Sequence, residues 1–201
     1  MQNRNKMKKF FVIVFLFMVT VAKAEQKVGE FYNSYFKKNY AIEALQKDGK
    51  LESVFIGVES KGSKESFIKV EGSDLETFKL SLNLVKSKYA EWVKVAKANH
   101  ITEMNKAFSI SFPKVEIYWL GSKWWSSYKL KVELKFIILD DGQMVALWAP
   151  TAKHWNNEYI DETIYFVFST IEDFDNLIKQ LNSQDILNKL LQTKNNEELF
   201  Q

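Results

Sequence analysis

From Ser127 to Phe136 apolar and polar residues alternate without a break. Tyr128, Leu130, Val132, Leu134 and Phe136 interleave with Ser127, Lys129, Lys131, Glu133 and Lys135, and Ile138 extends the apolar row. Successive side chains of a strand point to opposite faces, so this pattern predicts one dry face and one wet face. A strand of that kind is stable only in an antiparallel sheet whose dry side is covered by another layer. The rest of the chain must therefore supply its neighbours and its cover.

Neighbouring strands are legible on both sides. Phe108 to Leu120 reads as a strand whose apolar parity changes at Pro113, from Ile110 and Phe112 to Val115, Ile117 and Trp119, which predicts a bulge or an edge position. Leu120-Gly121-Ser122-Lys123 supplies the turn. Asp141-Gly142 is a strong hairpin signal and leads into a strand over Gln143 to Trp148, with Tyr159 to Phe168 as the last strand. Upstream, Leu51 to Val58 and Ser66 to Val70 form a hairpin around Lys61-Gly62-Ser63-Lys64. Residues 25 to 38 show weak periodicity, and Tyr40 to Gln46 reads as a short helix stopped by Asp48-Gly49.

The cover is a long helix. Leu75, Phe78, Leu82, Val85, Tyr89, Trp92 and Ala96 recur at three- and four-residue steps, one face of a helix of about 24 residues. Ser73-Asp74-Leu75-Glu76 has the spacing of a capping box at its start. A second box, Ser169-Thr170-Ile171-Glu172, opens a helix burying Ile171, Phe174, Leu177, Ile178 and Leu181. A last helix, Ser183 to Leu191, carries Ile186, Leu187, Leu190 and Leu191, and the polar tail 192–201 is expected to fray, unless Leu199 and Phe200 dock. The fold class is α+β: an antiparallel β meander covered by one long amphipathic helix, with two short C-terminal helices.

Residues 1–24 have the three parts of a signal peptide: basic Arg4, Lys6, Lys8 and Lys9, an apolar run Phe10 to Val21, and Ala22-Lys23-Ala24. The run is short of the about 20 residues of a bilayer-spanning helix, so no stable membrane anchor is expected after cleavage. The working domain is then residues 25–201, exported to a periplasm or the outside. With no cysteine it has neither disulfides nor a lipid-modified thiol. The leader carries five basic residues and no acid, so its removal takes the net charge from +3 to −2. The mature basic residues are all lysine, which argues against phosphate-backbone recognition and a nucleic-acid partner.

Motifs for chemistry are sparse. There are two histidines, His100 and His154, no Gly-rich phosphate loop and no nucleophile elbow, so no catalytic residue, metal site or cofactor is assigned. The acid pairs Asp140-Asp141 and Asp161-Glu162 leave a secreted hydrolase of cell-wall or dietary polymers as an alternative. The least ordinary feature is aromatic. Five of the six tryptophans lie between residues 119 and 155. Parity places Trp119 and Trp124 with the core and Trp125 with the polar face. Trp125 and Trp155, with Lys153, His154 and Asn156 around them, are the candidate ligand-binding residues, for an extracytoplasmic protein or carbohydrate. A structural or inhibitory interaction protein, using the Lys/Glu strand face or a free sheet edge, is the third reading.

Overall fold

The computed structural model describes residues 25–198. The leader assigned to 1–24, and Leu199 and Phe200 in the tail, lie outside them. The described residues form a mixed α+β fold with antiparallel sheets and three helices. Five strands come first: β1 (Gln26–Asn33), β2 (Lys38–Lys47), β3 (Lys50–Gly57), β4 (Glu59–Ser60) and β5 (Ser66–Glu71). Helix α1 (Leu75–Ala98) follows. Then come β6 (Met104–Ala107), β7 (Glu116–Leu120), β8 (Trp124–Ser126), β9 (Lys135–Ile138), β10 (Met144–Trp148), β11 (Thr151–His154) and β12 (Asn157–Phe168). Helices α2 (Ile171–Gln180) and α3 (Ser183–Glu198) close the order. Among the described residues no helix is long and apolar enough to cross a membrane.

Residues 38–47 are a strand and not the expected helix. Ala41, Glu43, Ala44, Leu45 and Gln46 favour a helix, but Tyr40, Ile42 and Ala44 are buried in alternation between β1 and β3. Burial on a pleated surface outweighs a helix propensity of a few tenths of a kcal/mol per residue. Its partner β1 is an added strand in the weakly periodic N-terminal stretch. One sheet therefore runs β1-β2-β3-β5-β7-β8.

The second sheet runs β11-β12-β10-β9-β6, and β4 also pairs with β12. The two sheets are continuous through long, bent hairpins. β6 and β7 lie on one chain segment, facing β9 and β8 on the next. Between those pairings residues 108–114 oppose 131–134, flanked by the Val115–Leu130 bridge and the Phe108 amide to the Leu134 carbonyl at 3.1 Å. This irregularity falls at Pro113, where the apolar parity changes, and Ser109 takes a left-handed φ of 55° beside it. It also breaks the alternating strand: Val132, Leu134, Phe136 and Ile138 are buried, whereas Tyr128, expected inside, is 67% exposed.

Helix α1 is packed on the second sheet and on α2. Phe78 meets Phe112 and Phe166 at ring separations of 5.4 and 6.5 Å, and Trp92 stacks on Phe108 at 5.0 Å. The Tyr89 hydroxyl lies 2.7 Å from the carbonyls of both Met144 and Ser169, and burial, then the Asp173 charge, raise its pKa. The capping box expected at Ser73 does not form. A 3-10 turn, Gly72–Asp74, enters α1 instead, and Glu76 binds Lys79 and Ser183. Gly72 explains the choice: a Cβ there would lie 2.0 Å from the Leu51 carbonyl oxygen, so backbone packing against β3 sets where the helix starts. At the other end His100 takes φ 55°, and the Ile101 amide bonds the Ala96 carbonyl at 2.9 Å, a left-handed helix stop in which histidine replaces the usual glycine.

The capping box of α2 is shifted by one residue from the expected Ser169/Glu172 to Thr170/Asp173. Helix α3 continues to Glu198, through residues expected to fray. Its Ile186 and Leu190 are buried, and the Lys189 ammonium bonds the Val28 carbonyl at 2.7 Å, where β1 bulges.

A second contact joins the sheets at β4. The Tyr40 hydroxyl donates to the Glu59 carboxylate at 2.6 Å and Lys38 donates to it at 3.1 Å. Burial, reinforced by Glu59, raises the Tyr40 phenol's pKa. Burial alone would raise Glu59, but the Tyr40 and Lys38 hydrogen bonds outweigh it and hold this carboxyl below its usual range. A depressed folded-state pKa contributes stability above the unfolded value and loses it as pH falls through the folded one. Tyr40→Phe is therefore expected to cost about 1 kcal/mol at pH 7, the partial exposure of Glu59 limiting the effect. The difference from the parent should shrink below pH 4, which urea unfolding at pH 7 and pH 3 measures. An undiminished difference at pH 3 assigns the loss to packing.

Candidate functional site

The aromatic residues gather where two hairpins meet. In the β7–β8 hairpin the loop Gly121-Ser122-Lys123 pairs Leu120 with Trp124 and Trp119 with Trp125. Directly paired residues share a face, so Trp125 points the same way as Trp119, which is 2% exposed. Trp125 is accordingly half-buried and packed on the core, while Trp124 is 48% exposed on the opposite face. This reverses the parity expectation for the two residues. The parity was carried back from Tyr128 and Leu130, across the irregularity that separates β8 from β9. The loop is Gly121-Ser122-Lys123, one residue shorter than the expected turn, because Leu120 is paired with Trp124, and this sets Trp119 opposite Trp125.

Gly121 makes room for the indole. A Cβ there would lie 2.9 Å from Trp125 Nε1, and the Lys123 ammonium sits 4.5 Å from the ring centroid of Trp125. The second hairpin joins β11 to β12. Residues 149–154 contain strand β11, which pairs with β12 from Thr151 to His154. The Trp155 amide bonds the Ser126 carbonyl at 3.2 Å and Ser127 bridges to His154, so the two hairpins are stitched backbone to backbone.

This stitching brings Trp125, His154 and Trp155 together, with Asn156 on the His154 ring and Lys153 one residue before it on the strand. The His154 ring meets Trp125 edge to face at 5.0 Å and 77°, and Trp155 at 5.5 Å and 46°. The Asn156 amide donates to His154 Nδ1 at 3.3 Å. Lys153 pairs with Glu158 at 3.6 Å. Trp155 is half exposed at the tip. The register passes from Lys153–Asp161 to His154–Asn157, leaving residues 158–160 as a bulge on which Tyr159 stands almost fully in solvent. Tyr159 and Tyr128 thus join the exposed set, both overlooked by periodicity.

Trp124 belongs to a separate row on the outer sheet face. It packs on Phe67 at 5.9 Å, Phe67 on Phe55 at 6.5 Å and Phe55 on Tyr118 at 5.6 Å. Burial, the first cause, raises the Tyr118 phenol's pKa despite nearby Lys69.

The acid pairs have structural partners. Asp141 accepts the Gln143 amide at 2.9 Å and precedes Gly142, whose φ of 81° the turn requires. Glu162 is buried and accepts the Gly62 amide at 3.1 Å, the Thr163 amide at 3.0 Å and the Ser63 hydroxyl, tying the β4–β5 loop to β12. Asp161 is exposed on the opposite face of the strand. Among the described residues no three His, Asp or Glu side chains are grouped as metal ligands. Comparison with protein-family models, with curated proteins and with solved structures gives no match.

Proposed function

We propose that this chain is an exported, non-enzymatic binding domain that takes a sugar ring of an extracytoplasmic glycan on the exposed face of Trp155. Trp125 and His154 back that indole, and Lys153 and Asn156 supply polar contacts at its rim. The observation that supports the reading is the meeting of three rings from two hairpins, with the outermost half exposed. A half-exposed indole on a stitched hairpin offers a rigid flat surface at little entropic cost. In this reading the antiparallel meander under α1 is the platform that holds the hairpin tips, and the leader delivers the domain to its ligand. Glu162, taken up by three donors, and Asp161, on the other strand face, lend no support to hydrolysis.

Trp155→Ala is the decisive variant. Its exposure predicts a change within about 0.5 kcal/mol, or 1–2 °C in Tm for a domain of this size. Trp125→Ala removes core packing as well and is expected to cost about 1–3 kcal/mol, so it cannot serve alone as a binding test. Soluble β-glucan, xylan and chitin oligosaccharides are titrated against intrinsic tryptophan emission. At least one is expected to shift the emission of the parent and none that of Trp155→Ala. A parent blind to all three, or equal binding by Trp155→Ala, overturns the glycan assignment.

A further inference from the structure

We propose that the free edge of β6 is a docking site for an extended peptide of a partner protein, which adds to the second sheet as one more strand and carries an apolar side chain beside a carboxylate. The other end strands of the two sheets are blunted. β1 has a bulge whose carbonyl at Val28 is taken by Lys189 of α3, and β8 and β11 are bridged to each other. β6 is the terminal strand of its sheet, and among the described residues nothing pairs with its outer side.

The backbone there specifies the occupant. The Phe108 amide bonds the Leu134 carbonyl, and the same register pairs Lys106 with Phe136 and Met104 with Ile138. Hydrogen-bonded and non-bonded pairs alternate along an antiparallel ladder, so Asn105 and Ala107 turn their N–H and C=O groups to the open side. Two donors and two acceptors at strand spacing are matched by another extended chain.

The side chains specify its chemistry. Met104 and Lys106 share the inner face with Phe136, where α1 overhangs the edge. Between them lies a mainly apolar cleft of about 220 Å³, walled by Trp92, Val95 and Ile101. That is below the roughly 300–1,000 Å³ of small-molecule pockets, yet holds a branched apolar side chain from an added strand. Glu91 at the rim is already paired with Lys88 at 3.0 Å. The Lys106 ammonium, 4.7 Å from the Trp92 ring centroid, has no carboxylate partner among the described residues. A carboxylate on the incoming strand, two residues from its apolar one and so on the same face, would complete that position.

A displayed library of random decapeptides selected against the full chain tests this. Recovered peptides are expected to be rich in an apolar residue two positions from Asp or Glu, which puts both on one strand face, and to protect the Asn105 and Ala107 amides from hydrogen exchange. Ala107→Pro removes an outward N–H and leaves the ladder to β9 intact, so the variant should fold and bind at least tenfold more weakly. Lys106→Glu should lose acidic binders by a similar factor and keep its thermal midpoint. The proposal is overturned if the library yields no binder, or if binders treat Ala107→Pro as the parent. A dimer of this chain that Ala107→Pro dissociates would also overturn it, by assigning the edge to a second copy.

Discussion

Asp173→Ala is expected to destabilise the domain by about 3–5 kcal/mol, because it removes the acceptor on which five donors converge. The Asp173 carboxylate is 1% exposed. Oδ1 accepts the Ser34 amide at 2.8 Å. Oδ2 accepts the Ser34 hydroxyl at 2.8 Å, the Ser169 amide at 2.9 Å, the Ser169 hydroxyl at 3.1 Å and the Thr170 amide at 3.1 Å. The β1–β2 turn, the end of β12 and the first turn of α2 all meet on this one side chain. Deleting it strands the Ser34, Ser169 and Thr170 N–H groups at a partly buried turn, at up to about 1–3 kcal/mol each before relaxation. Against a typical total of about 5–15 kcal/mol, such a loss unfolds much of the population at moderate denaturant. Asp173→Asn is the informative companion. It keeps one oxygen for the Oδ2 cluster but turns an amide donor toward the Ser34 N–H, so it should fall between parent and alanine. Urea unfolding reads both. A loss under about 1 kcal/mol for Asp173→Ala means that the turn and helix rearrange around the gap.

Phe78→Ala is the second large effect, at about 3–5 kcal/mol. Phe78 is fully buried and sits where α1, the 108–114 segment and β12 come together, in ring contact with Phe112 and Phe166. All three elements are anchored elsewhere, by the Tyr89 hydroxyl, by the Ser81 hydroxyl on the Ser111 carbonyl at 2.7 Å and by strand pairing, so collapse onto the space is limited. Leu80, two residues along the same helix, is 62% exposed, and Leu80→Ala should change stability by less than about 0.5 kcal/mol. Comparable losses at the two positions would contradict the packing of α1 described here.

Much of the fold was legible because its elements repeat a local rule. The 75–96 stripe predicted α1 to the length observed, and Asp141-Gly142 predicted the β9–β10 hairpin. Strands β3, β5, β10 and β12 also fall where alternation and turn residues put them. The capping boxes were less secure. A four-residue pattern matches at several offsets, and which offset is used depends on what the side chains find in space. Gly72 against Leu51 decided it for α1, and Ser34, distant in sequence, decided it for α2.

The candidate site divides in the same way. The sequence by itself determined that five tryptophans are concentrated between residues 119 and 155, and that one strand must have a dry side and a wet side. Only the tertiary structure decided which tryptophan faces where, that residues 38–47 are extended, and that Trp125 and Trp155 both meet the ring of His154. Periodicity reports a side chain's face relative to its neighbours in the chain. An irregular stretch such as 108–114 against 131–134 resets that relation, and a contact between residues thirty apart depends on a strand pairing that local pattern does not encode.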